Sequence, residues 1–127
     1  MIQATDLRIN NLVDILNESG YISPDTGYNW TVTMISTLDV WVSKNGGEKM
    51  VKIKNLSPIT LTEEWLKNMG MPEDRSTIDL FNWELYFERR DGKLYLSTEQ
   101  ASPGRLIEYL HIAQNIHNSL TNKDMQS

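Results

Sequence analysis

The stretch RLIEYLHIAQNIHNSL sets His111 and His117 six residues apart, with Glu108 three residues before the first histidine. Imidazole nitrogens bind metals and move protons near neutral pH, so this segment holds the strongest chemical signal in the chain. Read as one helix that begins after ASPG, with Ser102 as cap and Pro103 at the first helical position, it turns about 100° per residue. Leu106, Tyr109, Leu110, Ala113, Ile116, His117 and Leu120 then share an apolar arc, while Glu108, His111, Asn115, Asn118 and Ser119 lie on the other side. The two histidines stand about 120° apart and cannot chelate one ion. His117 reads as a packed residue with one hydrogen bond, and His111 as a solvated one. Glu108-x-x-His111 has the spacing of di-iron bundles, but those sites need the motif twice together with further glutamates. No metal site and no cofactor are expected. What is left is a polar recognition surface of His111, Gln114 and Asn115.

Other catalytic patterns are missing. Neither G-x-G-x-x-G nor the Walker pattern occurs, and no serine sits in a G-x-S-x-G elbow. Glu63, Glu64, Glu73 and Asp74 cluster in sequence, where helix capping and a solvated turn account for them. No catalytic residue is assigned. A second candidate is the loop around Tyr21, Tyr28 and Trp30, whose aromatics could line a small-molecule or nucleotide-type site. Trp30 and Trp41 matter for another reason, because an outward aromatic marks a binding patch.

These residues need a frame, and composition bounds it. The chain has 127 residues, 39% hydrophobic, with four Trp, five Tyr and two Phe. That suits one domain over 1–120 followed by a flexible polar tail over 121–127. There is no cysteine, which excludes disulfides, thiolate metal sites and cysteine nucleophiles. Twelve basic residues against seventeen acidic ones give a charge of −5, so duplex nucleic acid is not an expected partner. The N-terminus MIQATDLRINNLVDIL lacks the pattern of a signal peptide, and no stretch reaches the roughly 18 apolar residues of a membrane helix. The expectation is a cytoplasmic protein without membrane contact.

Hydrophobic spacing supplies the elements. Leu12–Leu16 reads as a short strand, and Asn17–Asn29, rich in Gly, Pro, Asn, Asp and Ser, as an exposed loop. Trp30, Val32 and Met34 alternate with Thr31, Thr33 and Ile35, as in a half-buried strand. A hairpin follows. With Gly46-Gly47 as its turn, Val42 faces Val51 and Val40 faces Ile53, a better match than the Asn45-Gly46 turn, which sets Val42 against Lys49. SPITLTEEWLKNMGMPEDRS reads as a helix capped by Thr60 or Thr62, ended at Gly70, and docked through Trp65. Phe81, Trp83, Leu85 and Phe87 alternate into a second hairpin, where an Asp91-Gly92 turn sets Phe87 opposite Leu96.

Three stretches carry a resemblance. LRINNLV resembles the LRIGNLV opening of a family of small uncharacterised proteins encoded by gut Bacteroidales and their phages or mobile elements. PITLTEEWLKNMGM is similar to that family's PIPLTEEWLLKFGF, and IEYLHIAQNIHNSLTNKDM to its IKYVHQLQNLYFALTGEEL ending. Asn11 stands near the glycine of the opening, where a tight turn is expected. His117 falls where the family has an aromatic, and Asn122 replaces the closing glycine. The resemblance implies a provenance and not a reaction.

The fold expected is α+β: a small bent antiparallel sheet, SH3-like in its first half, with a short middle helix and a C-terminal helix. The function expected is a small non-catalytic binding or accessory protein, phage-associated, whose partner is a host or virion protein or a second copy of itself. The alternative is a small-molecule binder or enzyme built on the Tyr21–Trp30 loop.

Overall fold

Leu12, Val13, Asp14 and Ile15 form β1 (Leu12–Ile15), a strand whose last three residues are buried because it is paired on both sides. The computed structural model describes residues 2–24 and 26–125, and these fall into two units, Met1–Ile59 and Thr60–Ser127. The architecture is α+β. In the first unit β2 (Trp30–Ile35), β3 (Asp39–Lys44), β4 (Gly47–Lys52) and β5 (Leu56–Ser57) join β1 in one antiparallel sheet of order β4-β3-β2-β1-β5. A 3-10 turn, Ile53–Asn55, links β4 to β5. This is the strand order of an SH3-like barrel. Val13, Val32, Val40, Val42, Val51 and Leu56 form the centre of its core, joined by Ile2, Leu7 and Ile15.

The loop between β1 and β2 is held at several points. The Asn17 side chain accepts from the backbone N–H of Ser19 at 2.9 Å and of Tyr21 at 3.1 Å. At its far end Asp14 Oδ1 accepts from Asn29 N–H at 2.9 Å, Lys44 Nζ donates to the Tyr28 carbonyl at 2.6 Å, and Trp30 Nε1 donates to the Thr26 carbonyl at 2.7 Å. Burial pushes the Asp14 carboxyl up, against the opposing pull of Asn29 N–H and Lys44. Asp25 lies outside the described residues.

The β3–β4 hairpin turns on Asn45-Gly46, with φ of 51° and 81°, and not on Gly46-Gly47. Two positive φ values are what a two-residue type I′ turn demands, and Asn-Gly meets that demand at both positions. Val42 therefore faces Lys49, and Val40 faces Val51. Lys49 tolerates its position by drawing its ammonium to 4.8 Å over the Trp30 ring. The tight turn expected at the glycine of the opening falls at Asn10, the residue that takes the glycine's place in LRINNLV, beside Asn11. Asn10 takes φ 77°, whereas Asn11 is buried and its side chain accepts from Arg8 N–H at 2.8 Å.

In the second unit α1 (Glu63–Asn68) is capped by Thr62, whose Oγ1 accepts from Trp65 N–H at 3.4 Å. Gly70, at φ 93°, follows its end. Leu66 is the residue α1 buries completely; Trp65, the expected anchor, is half-buried. A four-stranded meander follows: β6 (Thr77–Phe81), β7 (Leu85–Arg90), β8 (Lys93–Thr98) and β9 (Ala101–Ile107), in order β6-β7-β8-β9. The Asp91-Gly92 turn and the Phe87–Leu96 pair occur as expected. The run from Phe81 to Phe87 is not one strand, however. Asn82 and Trp83, at φ 45° and 62°, turn the chain between β6 and β7, and Asp79 Oδ1 holds the turn by accepting from Trp83 N–H at 2.7 Å.

The last helix, α2 (Leu110–Thr121), is shorter than expected. Ala101–Ile107 is the strand β9, because the edge of β8 offers its backbone a ladder that an isolated helical turn cannot match. Gly104 permits this pairing, since a Cβ there would collide with the Leu96 carbonyl. Asn122, at φ 59°, ends α2 in the left-handed conformation. Of the segment expected to be a flexible tail, Thr121 belongs to α2 and Met125 is buried. His117 Nδ1 donates to the Lys123 carbonyl at 3.1 Å and so ties that segment back to the helix. Residues 126–127 lie outside those described.

Candidate functional site

The α2 residues do not form an exposed face. His111 is only 3% exposed, with its ring stacked on Tyr109 at a centroid distance of 6.2 Å. Gln114 and Asn115 are half-buried. The expected polar arc includes positions before Leu110, where α2 begins, and Glu108 stands outside the helix, so the Glu-x-x-His spacing is not a helical one. His117 is half-buried and hydrogen-bonded, as a packed residue would be.

The loop aromatics belong to the other unit and differ in exposure. Tyr21 is 73% exposed and Tyr28 is exposed too, while Trp30 is half-buried beneath Lys49. None of the three lines either of two clefts found in the molecule. One cleft, of about 260 Å³, lies over β8 and β9 beside Thr60, Lys93, Glu108 and Tyr109. The larger, of about 470 Å³, opens at one end of the first unit and is lined by Ile2, Gln3, Thr37, Leu38, Asp39, Lys52, Ile53 and Lys54.

Strand register builds a different surface next to that larger cleft. Met34 on β2 lies opposite Trp41 on β3, which lies opposite Met50 on β4. The three side chains therefore share one face of the sheet in a single row across three strands, each strand about 4.8 Å from the next. They are 58%, 38% and 56% exposed. Met34 reaches this face because a bulge between Val32 and Met34 breaks the alternation of β2, with Thr33 Oγ1 donating to the Trp41 carbonyl at 3.2 Å. The next pair on this face is Asp39 opposite Lys52, and both line the cleft. Leu38, at the cleft's rim, is also exposed. The charged Asp39–Lys52 pair thus stands between the apolar row and the cleft and borders the row on that side. Sequence reading marked Trp41 for its exposure but missed Met34, Leu38 and Met50, whose alignment no local pattern encodes.

The most polar buried cluster lies in the second unit. Glu88 accepts from Ser97 Oγ at 3.0 Å and Ser102 Oγ at 2.8 Å on one oxygen, and from Arg90 Nε at 3.1 Å and Nη2 at 2.8 Å on the other. Burial alone would raise its pKa, but the donors from Ser102, Ser97 and Arg90 outweigh it and hold the carboxyl below its usual range. A carboxylate so saturated is a poor base, and neither cleft includes it. Its arrangement is that of a structural clamp on β7, β8 and β9.

Among the described residues, no group of three or more His, Asp or Glu could hold a metal ion, and no helix is long and apolar enough to cross a membrane. Comparison with protein-family models, with curated proteins and with solved structures finds no match.

Proposed function

We propose that this chain is a small non-catalytic accessory protein that binds another protein through the outer face of its SH3-like unit. The observation that carries the reading is the exposed row Met34–Trp41–Met50, bordered by the charged Asp39–Lys52 pair at the cleft. Contiguous exposed apolar surface with a polar rim marks a contact site. Trp and Met are enriched at interfaces, and the flexible thioethers let such a face adapt to its partner. The sequence resemblance supports an origin in a phage or mobile element of gut Bacteroidales, with the protein acting in the host cytoplasm or on a virion.

The test is native mass spectrometry of tagged protein recovered from its own host's lysate, comparing wild type with Trp41→Ser/Met50→Ser and with Phe81→Ser as a control in the second unit. A partner held in fixed stoichiometry by wild type and by the control, and reduced at least about tenfold by the double variant, is the expected result. Retention by the double variant would remove this face from the role, and a bare wild-type protein would remove the reading.

A second reading rests on the larger cleft. Its volume of about 470 Å³ and its lining by Lys52, Lys54 and Asp39 suit a small anionic molecule with an apolar body. It predicts a small added mass on wild type that Lys52→Ala/Lys54→Ala abolishes.

A further inference from the structure

The exposed row ends at β4, which is the edge strand of its sheet. Lys44 and Gly47 close the hairpin around the two-residue turn, so the backbone groups of Gly47, Lys49 and Val51 go to β3. Those of Glu48, Met50 and Lys52 point to the free edge, and all three residues are exposed. Glu48-x-Met50-x-Lys52 is its own complement. Laid antiparallel against a copy about Met50, it sets Glu48 opposite the second copy's Lys52, Met50 opposite the second copy's Met50, and Lys52 opposite the second copy's Glu48. The residues that face each other are the ones whose N–H and C=O groups point outward, so the ladder and the charges agree on one register.

We propose that two copies of this chain pair edge to edge along β4 in this register, joining the two five-stranded sheets and merging two Met–Trp–Met rows into one. Lysines on an edge strand ordinarily discourage pairing with other strands. Here Lys52 gains the second copy's Glu48. Lys52 already has Asp39 opposite it on β3, so pairing places its ammonium between two carboxylates. Lys49 falls opposite the second copy's Val51 with its charge drawn away over Trp30. The pairing uses the strand's edge and leaves the outer face open, so it does not rest on the binding role above.

Sedimentation equilibrium on the full chain tests this. Wild type is expected to approach twice its 14.7 kDa mass as concentration rises. Glu48→Lys alone, or Lys52→Glu alone, sets like charges opposite each other at both symmetry-related positions and raises the dissociation constant at least about tenfold. An equal mixture of the two single variants again has opposite charges at both positions and pairs as a heterodimer, within about threefold of wild type. Independently of any variant, hydrogen exchange at the amides of Glu48, Met50 and Lys52 slows with rising concentration. A wild type that stays monomeric to about 1 mM overturns the proposal. So does a dimer that neither single variant weakens, a mixture that stays monomeric, or exchange at those amides that ignores concentration.

Discussion

Trp41 stands directly opposite Met50 across β3 and β4 on the exposed face of the first unit, while Val42, one residue on, is fully buried behind it. This places two kinds of apolar residue side by side, one kind holding the fold and the other available for contact. Met34→Thr and Met50→Thr, which put a strand-favouring residue in an exposed position, should change stability by no more than about 0.5 kcal/mol. Val42→Ala should cost about 1–3 kcal/mol. Urea unfolding measures both. A large loss from the two Thr variants would mean that the row is covered in solution.

The β3–β4 turn separates two glycines that look alike in sequence. Gly46 has φ 81° and Gly47 lies in β4, with the Lys44 carbonyl 3.5 Å from where its Cβ would stand. Gly46→Ala should therefore destabilise by about 1 kcal/mol, through the strain of a side chain in the left-handed region. Gly47→Ala should be neutral or slightly stabilising, because it restricts the unfolded chain without straining the folded one. Equal effects in thermal melts would favour the Gly46-Gly47 register instead.

His111 is buried and stacked on Tyr109, so its removal is a core change. His111→Ala should cost about 1–3 kcal/mol, whereas Asn115→Ala, at a half-buried position, should cost less. Differential scanning calorimetry of the two variants distinguishes a packed His111 from a solvated one, since a solvated ring would leave the melting temperature in place.

Glu88 gives the fold a sensitivity to acid. Its folded pKa lies below the ordinary 4.5, so in acid the native state binds fewer protons than the unfolded chain. The stability this contributes is fully present above about pH 4.5 and is lost as pH falls through the folded value. Glu88→Gln should be less stable than wild type at neutral pH, by losing charge-assisted bonds to Arg90 and the two serines. The gap should narrow on acidification below about pH 4.5, as followed by chemical denaturation at a series of pH values. A gap that stayed constant with pH would show that the clamp does not depend on the carboxylate charge.

What the sequence determined by itself was set by chemistry within a few residues. Thr62 caps α1, Asp91-Gly92 turns a hairpin that pairs Phe87 with Leu96, and Asn122 ends α2, because each needs only a side-chain oxygen or a tolerance of positive φ at one position. The α+β class followed from the same local signals, summed along the chain. Tertiary structure decided the rest. Ala101–Ile107 became a strand because the edge of β8 was there to pair with it, and that choice cut the C-terminal helix short and moved its start past Glu108. His111 then lay in the interior and not on the face that a helix counted from Leu106 would give it. The Met34–Trp41–Met50 row needed a bulge in β2 and the Asn45-Gly46 turn to bring residues 16 positions apart into one line. No periodicity along the chain encodes that line, because register is a relation between strands, fixed only when their backbones are paired.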